Sequence, residues 1–187
     1  RLESSAKETQ KLADSASLFA QLAQPKKNFI AFPKVSSEQR RYIPIGFLTP
    51  DIIVGDKVYV IEDVGLYEFG VLTSNVHNDW MRAVAGRLEM RYSYSNTIVY
   101  NSFPWCNPTE GQKAKIEETA QAILDARAKY PDSSLADLYD ETVMPPELRK
   151  AHQANDRAVM AAYGFSTKMT ESECVAELFK LYEKLTK

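Results

Sequence analysis

Pro104-Trp105-Cys106-Asn107-Pro108 divides the sequence into two regions of different texture. Two prolines within five residues interrupt any regular element. Upstream, short β-type runs alternate with turns. Downstream, the apolar spacing is helical to the end. That division makes the chain α+β, with strands in one half and helices in the other.

Working upstream, Arg91 to Tyr100 alternates. Tyr92, Tyr94, Asn96, Ile98 and Tyr100 fall on one side, and Ser93, Ser95, Thr97 and Val99 on the other, as in a strand with one aromatic face. Residues 74–88 predict an amphipathic helix with Val76, Trp80, Val84 and Leu88 on one stripe, capped by Ser74 or Asn75. Lys57-Val58-Tyr59-Val60-Ile61 reads as a strand entered by a turn at Gly55-Asp56. So do Asn28 to Phe32 and Tyr42 to Leu48, with Pro44 confining the latter to an edge or a bulge. A helix is expected over residues 5–23, with Leu12, Ala16, Phe19, Ala20 and Ala23 at helical spacing and Pro25 as its stop.

Working downstream, three helices are expected. The first runs from about Pro108 to Lys129, with Ile116, Ala120, Ile123 and Leu124 on its apolar face. The second opens at Pro145-Pro146 and ends at Gly164. The third opens with the capping-box spacing Thr170-Glu171-Ser172-Glu173 and buries Val175, Leu178, Phe179, Leu181 and Tyr182. Ser134 to Tyr139 suits a short helical turn. The expectation is a small, mostly antiparallel region flanked by helices, followed by an all-helical region.

Composition narrows the function. The chain has 187 residues, 44% of them hydrophobic and 26% charged, an ordinary globular balance. Cys106 and Cys174 are its two cysteines, beside two histidines, which argues against a disulfide framework and a zinc site. A reducing cytoplasm is the expected setting. No apolar run approaches membrane-spanning length. The sequence opens mid-pattern at Arg1-Leu2-Glu3, without Met, and reads as a piece of a longer protein.

Catalytic constellations are missing. Neither His77 nor His152 accompanies a Gly-x-Ser-x-Gly elbow, and Cys106 has no nearby base. The seven glycines stand singly, so no phosphate-binding loop is present. Asn107-Pro108-Thr109-Glu110 begins like the Asn/Asp-Pro-Pro-Tyr/Phe motif of amino-methyltransferases. That motif needs an aromatic ring at its fourth position, where Glu110 stands, so these residues read as a helix entrance. Nor is there a Phe-x-Gly-x-Gly loop for a methyl donor. No catalytic, metal-binding or cofactor-binding residue is expected in this piece.

Two segments suit DNA. The net charge is −2, yet residues 26–42 carry Lys26, Lys27, Lys34, Arg40 and Arg41 against Glu38 alone, a local charge of +4. Lys34, Ser36, Ser37, Arg40 and Arg41, in one connection between strands, are candidate ligands for phosphate oxygens. Downstream, Glu89 and Arg91 stand two residues apart. In an extended backbone they project from one side, roughly 6.5–7 Å apart. Arginine suits the guanine edge in the major groove and a carboxylate suits cytosine N4. A plain ion pair between them is the competing reading, and spacing alone favours it.

At these residues the sequence resembles the MmeI-like DNA methyltransferases, large single-chain restriction–modification proteins and their methylase relatives. The resemblance rests on Val35 to Leu48, Phe69-Gly70-Val71-Leu72-Thr73-Ser74, Trp80-Met81-Arg82, Gly86-Arg87-Leu88, Tyr92 to Ser95 and Val99 to Trp105. It continues through Leu124 to Arg127, Ser134 to Asp140 and Met144 to His152. It implies a linking helix at 1–24, a DNA target-recognition domain at 25–107 and a helical C-terminal domain at 108–187.

The resemblance further implies that the parent chain binds S-adenosylmethionine and methylates adenine N6 through a methyltransferase domain upstream of this piece, with a nuclease in some members. Family members carry a charged pair just after the Gly-Arg-Leu block, often Lys-x-Asp, that reads one base pair. Here Glu89-x-Arg91 occupies it, so Arg91 is expected to take guanine and Glu89 the paired cytosine. Ser93 is placed to approach a neighbouring base. For the helical tail, packing on the recognition region and clamping of DNA through Arg149, Lys150 and Arg157 stay open, with packing favoured. The reading from a different class is a protein–protein docking domain using the aromatic strand Tyr92–Tyr100.

Overall fold

The computed structural model describes residues 2–15 and 24–187. Of the helix expected over 5–23, Lys7–Lys11 is helical (α1), while Ala16, Phe19, Ala20 and Ala23 lie outside the described residues.

Two small antiparallel sheets follow. The first has the order β3-β1-β4, from Gly46–Leu48, Phe29–Pro33 and Val58–Ile61. Ile30 sits at its centre, opposite Phe47 on one side and Ile61 on the other. The second has the order β2-β6-β5, from Val35–Ser36, Arg91–Ser93 and Gly86–Leu88. Lys34 is the hinge between the sheets. Its N–H donates to the Lys57 carbonyl at 2.9 Å, and its carbonyl accepts from the Tyr94 N–H at 2.8 Å.

Several sequence expectations need correction. The strand expected from Tyr42 begins at Gly46. Pro44 has no N–H to give a ladder, and the Ile45 N–H instead closes a tight turn onto the Ile43 carbonyl at 2.9 Å. The Ile43 N–H goes to Asn78 Oδ1 at 3.0 Å. The helix expected over 74–88 spans Asn75–Val84 (α3), with Ser74 Oγ as the N-cap accepting from the His77 N–H. Gly86, a poor helix residue, opens β5 instead. Leu88 therefore leaves the apolar stripe and is 49% exposed.

The strand expected over 91–100 stops at Ser93, and Asn96–Tyr100 forms a π-helical turn. Ser95 Oγ caps it at the Ile98 N–H, and Trp80 Nε1 donates to the Val99 carbonyl. Short polar side chains that bond neighbouring backbone compete with a strand. A helix that pattern reading did not assign, α2 (Leu66–Leu72), precedes α3, with Glu68 accepting from the Gly65 N–H.

The helical region has the expected elements, but of the residues expected to be buried on its last helix Leu178 is buried, while Phe179 and Tyr182 are 46% and 37% exposed. It comprises α4 (Glu110–Ala128), α5 (Leu135–Leu138), α6 (Pro146–Tyr163) and α7 (Glu171–Thr186). Gly164 closes α6 at φ 70°, a left-handed conformation that glycine adopts without strain. Thr170 and Glu173 form the capping box of α7.

These helices pack on the β region around one apolar core running from Ile30 to Leu178. Gly70 on α2 meets α4 so closely that a Cβ there would stand 2.6 Å from Ile116 Cγ2. Asn155 on α6 donates to the Gly70 carbonyl at 2.7 Å and accepts from Thr119 Oγ1. Arg127 on α4 donates to the Ile45 carbonyl at 2.7 Å. Trp80 on α3 lies 4.9 Å from the Phe179 ring of α7. Packing, the favoured reading of the tail, is what these contacts describe. Arg149 is engaged with Glu141, while Lys150 and Arg157 are exposed.

Candidate nucleic-acid interface

β5 and β6 form a hairpin joined by two residues, Glu89 and Met90, with Leu88 opposite Arg91 and Arg87 opposite Tyr92. Strand alternation sorts its side chains into two faces. Tyr92 is 8% exposed and turns inward, as does its ladder partner Ser36 at 6%. Arg91 and Ser93 take the opposite parity and face outward, with Val35 beside Ser93. The outward face is thus fixed by the buried tyrosine between its two members.

Glu89 is the first turn residue and has φ 58°. Two-residue hairpins demand positive φ, normally from Gly, Asn or Asp. The extended geometry expected for the pair is therefore corrected, because Glu89 sits in the turn rather than on the strand. The bend closes the gap, and Arg91 Nη2 donates to Glu89 Oε2 at 2.7 Å. The competing ion-pair reading is met, yet both groups are available, with side chains 77% exposed for Glu89 and 49% for Arg91. An exposed pair of this kind is held by no more than about 1 kcal/mol, so a better partner displaces it easily.

Arg87, which sequence reading did not single out as functional, braces this tip. Its guanidinium lies 3.7 Å from the Tyr92 ring centroid, and Nη1 donates to the Met90 carbonyl at 3.0 Å. Hairpin pairing puts Arg87 over Tyr92, and helical periodicity at 74–88 concealed it.

The basic connection is less uniform than its charge suggests. The Lys34 ammonium lies 4.7 Å over Tyr59. Ser37 is half-buried, and its Oγ accepts from the Gln39 N–H. Arg40 is half-buried and reaches the Ala136 carbonyl at 3.4 Å. Arg41 is exposed. Ser36 is a correction. Parity with Tyr92 turns its hydroxyl inward, where a phosphate does not reach it. Lys27 pairs with Asp63 at 3.0 Å.

A cleft of about 460 Å³ opens beside Arg40 and Arg41, and Glu38, Asp79, Glu141 and Glu171 also line it. Arg82 organises this cleft. It pairs with Asp79, binds Glu171 at 2.9 Å, and donates to the Arg41 carbonyl at 3.2 Å. Burial pushes the Asp79 carboxyl up to about 6 despite the Arg82 charge.

The groups screened for catalysis are engaged in packing. His77 is fully buried against Tyr94 Oη at 3.0 Å, and burial lowers its pKa to about 3. His152 lies stacked on Tyr42, and burial lowers it likewise. Burial raises the Cys106 thiol. Among the described residues no cluster of three His, Cys, Asp or Glu is placed to hold a metal. No helix there is long and apolar enough to cross a membrane. The aromatic docking face also needs correction, since Tyr92 and Tyr94 are 8% and 6% exposed and belong to the core.

A two-sheet body with an outward charged hairpin, backed by helices, defines a recognition module. The chain belongs to the MmeI target recognition domain family over residues 1–107, and residues 108–187 match the MmeI C-terminal domain. It is 39% identical over 186 residues to DNA methyltransferase A of Bacillus subtilis (strain 168), covering 100% of this chain and 21% of that protein. A solved structure, the type IIL restriction-modification enzyme MmeI in complex with DNA, is 48% identical with TM-score 0.93, over 100% of this chain and 25% of that one. The chain spans 21% and 25% of these relatives' lengths.

Proposed function

We propose that this chain recognises the DNA target of a longer S-adenosylmethionine-dependent adenine-N6 methyltransferase of the restriction–modification type, working in the cytoplasm. Residues 25–107 carry the recognition, residues 108–187 brace it, and residues 1–24 lead from the methyltransferase domain. The glycines here stand singly and form no Gly-rich loop, so these residues do not fit S-adenosylmethionine. Its binding and the methyl transfer fall to the rest of the parent.

The observation that carries this reading is the exposed Glu89–Arg91 pair on the outward face of the hairpin tip. On binding, the pair opens. Arg91 donates to guanine O6 and N7, and Glu89 accepts from N4 of the paired cytosine. Each charge then exchanges a weak exposed partner for a base edge, which gives about 1–3 kcal/mol of discrimination. Ser93, two residues along the same face, approaches a neighbouring base. Lys34, Ser37, Arg40 and Arg41 hold backbone phosphates, which set register without reading sequence. These contacts offset the few kcal/mol spent in extruding the target adenine.

The test is a reciprocal exchange in the full-length parent, Glu89→Lys with Arg91→Asp. Methylation is expected to move to a site that differs by inversion of one C·G pair. Unchanged specificity rejects the assignment.

A further inference from the structure

The hairpin tip breaks local chemistry twice in succession. A solvent-facing two-residue turn is normally built from Asn, Gly or Asp. This one has Glu89, at φ 58°, and then Met90, which is 69% exposed. Leu88 beside it is 49% exposed. These side chains contribute little to the core, and placing them in water forgoes the gain of burial. Departures from local preference cluster at functional sites.

The tip is also held in place. The Arg87 guanidinium rests on the buried Tyr92 ring at 3.7 Å while Nη1 grips the Met90 carbonyl at 3.0 Å. The backbone of Met90 is thereby tied to the core, and its thioether projects from a braced support. A flexible solvent turn needs no such anchor.

We propose that Met90 is a specificity residue that contacts the C5-methyl group of thymine in the base pair next to the one read by Glu89 and Arg91. This rests on the reading proposed above. The major groove displays hydrogen-bonding edges and one apolar group, the thymine methyl. A thioether is unbranched, polarisable and apolar, and suits that methyl. It has no strong hydrogen bond to offer the polar edges. The charged neighbours of Met90 on both sides engage one base pair, which leaves an adjacent pair to the side chain between them.

The experiment uses the full-length parent with a duplex library randomised at the base pairs flanking the one that the Glu89/Arg91 exchange inverts. Methylation is read by sequencing. The wild type is expected to prefer thymine at one neighbour. Replacing that thymine by deoxyuridine, which removes only the methyl, is expected to slow methylation about fourfold. Met90→Ala is expected to lose both the preference and the deoxyuridine penalty, while Met90→Leu keeps them.

A target with no thymine at either neighbour overturns the proposal. So does a deoxyuridine penalty that persists in Met90→Ala, or a Met90→Ala that slows every neighbour alike. If the exchange inverts no base pair, the charged-pair reading fails and this inference with it. If it inverts one while Met90→Ala changes nothing, only this inference fails.

Discussion

Arg87 lies over the Tyr92 ring, its guanidinium carbon 3.7 Å from the ring centroid, the two facing each other across neighbouring strands rather than along one helix. The buried tyrosine fixes which residues of β6 face outward, and the arginine fixes the turn that carries Glu89 and Met90. Arg87→Ala should therefore separate recognition from stability. A cation–π contact at an exposed site contributes about 0.5–1 kcal/mol. The melting temperature of the chain should fall by no more than about 4 °C. Discrimination at the base pair proposed for Glu89 and Arg91 should drop about tenfold in the parent. Full retention of site discrimination would show that the brace has no part in reading.

Gly70 sets the distance between the β-bearing half and the helical half. A Cβ there would meet Ile116 Cγ2 at 2.6 Å and Ala120 Cβ at 3.2 Å. Gly70→Ala should cost about 1–3 kcal/mol through overpacking. That corresponds to a fall of roughly 2–12 °C in melting temperature, measurable by circular dichroism. An unchanged melting temperature would mean that α2 and α4 do not pack this closely.

Two neighbours on α3 push acid stability in opposite directions. His77 has a folded pKa near 3, below its unfolded value of about 6.5. The unfolded chain takes that proton first, so the stability held by neutral His77 is complete above about pH 6.5 and is lost as pH falls toward 3. His152 acts in the same direction, lowered by burial. Asp79, raised to about 6, does the reverse, because the folded carboxyl takes the proton first and stability grows as pH falls from 6 toward 4. Two histidines outweigh one carboxyl, so the melting temperature should already decline between about pH 6.5 and 4. Asp79→Asn removes the opposing contribution, and its melting temperature should decline more steeply over that range. Parallel profiles for the two proteins would contradict these assignments.

Arg41 tests the phosphate role. It is exposed, and its carbonyl is held by Arg82. Arg41→Ala in the parent should weaken binding to cognate and non-cognate duplexes alike. The slope of log K against log salt should flatten by about one unit. A loss confined to the cognate sequence would mean that Arg41 reads bases.

Much of the architecture could be read from periodicity. Ser74, Gly164 and the Thr170–Glu173 box mark helix ends through local chemistry, and the structure uses each of them. The failures have two causes, one non-local and one local. Val84 to Leu88 continues a helical stripe, but Gly86 yields to strand pairing with Ser93, a partner that local spacing does not reveal. Asn96 to Tyr100 keeps a period of two, but the Ser95 cap turns the chain instead. The charged pair was visible because its two side chains have complementary chemistry. The brace of Arg87, the inward turn of Ser36 and the cleft ordered by Arg82 all depend on cross-strand or inter-helix neighbours.

In the reading proposed above Arg91 takes a guanine edge, and replacing N7 of that edge by C–H tests it. In the full-length parent, 7-deazaguanine is placed at each guanine of the cognate site in turn, and affinity is measured for the wild type and for Arg91→Ala. At one guanine the wild type should lose about tenfold, and Arg91→Ala, already weakened, should lose nothing more. If the two losses add in full at every guanine, Arg91 does not touch that edge and the account is wrong.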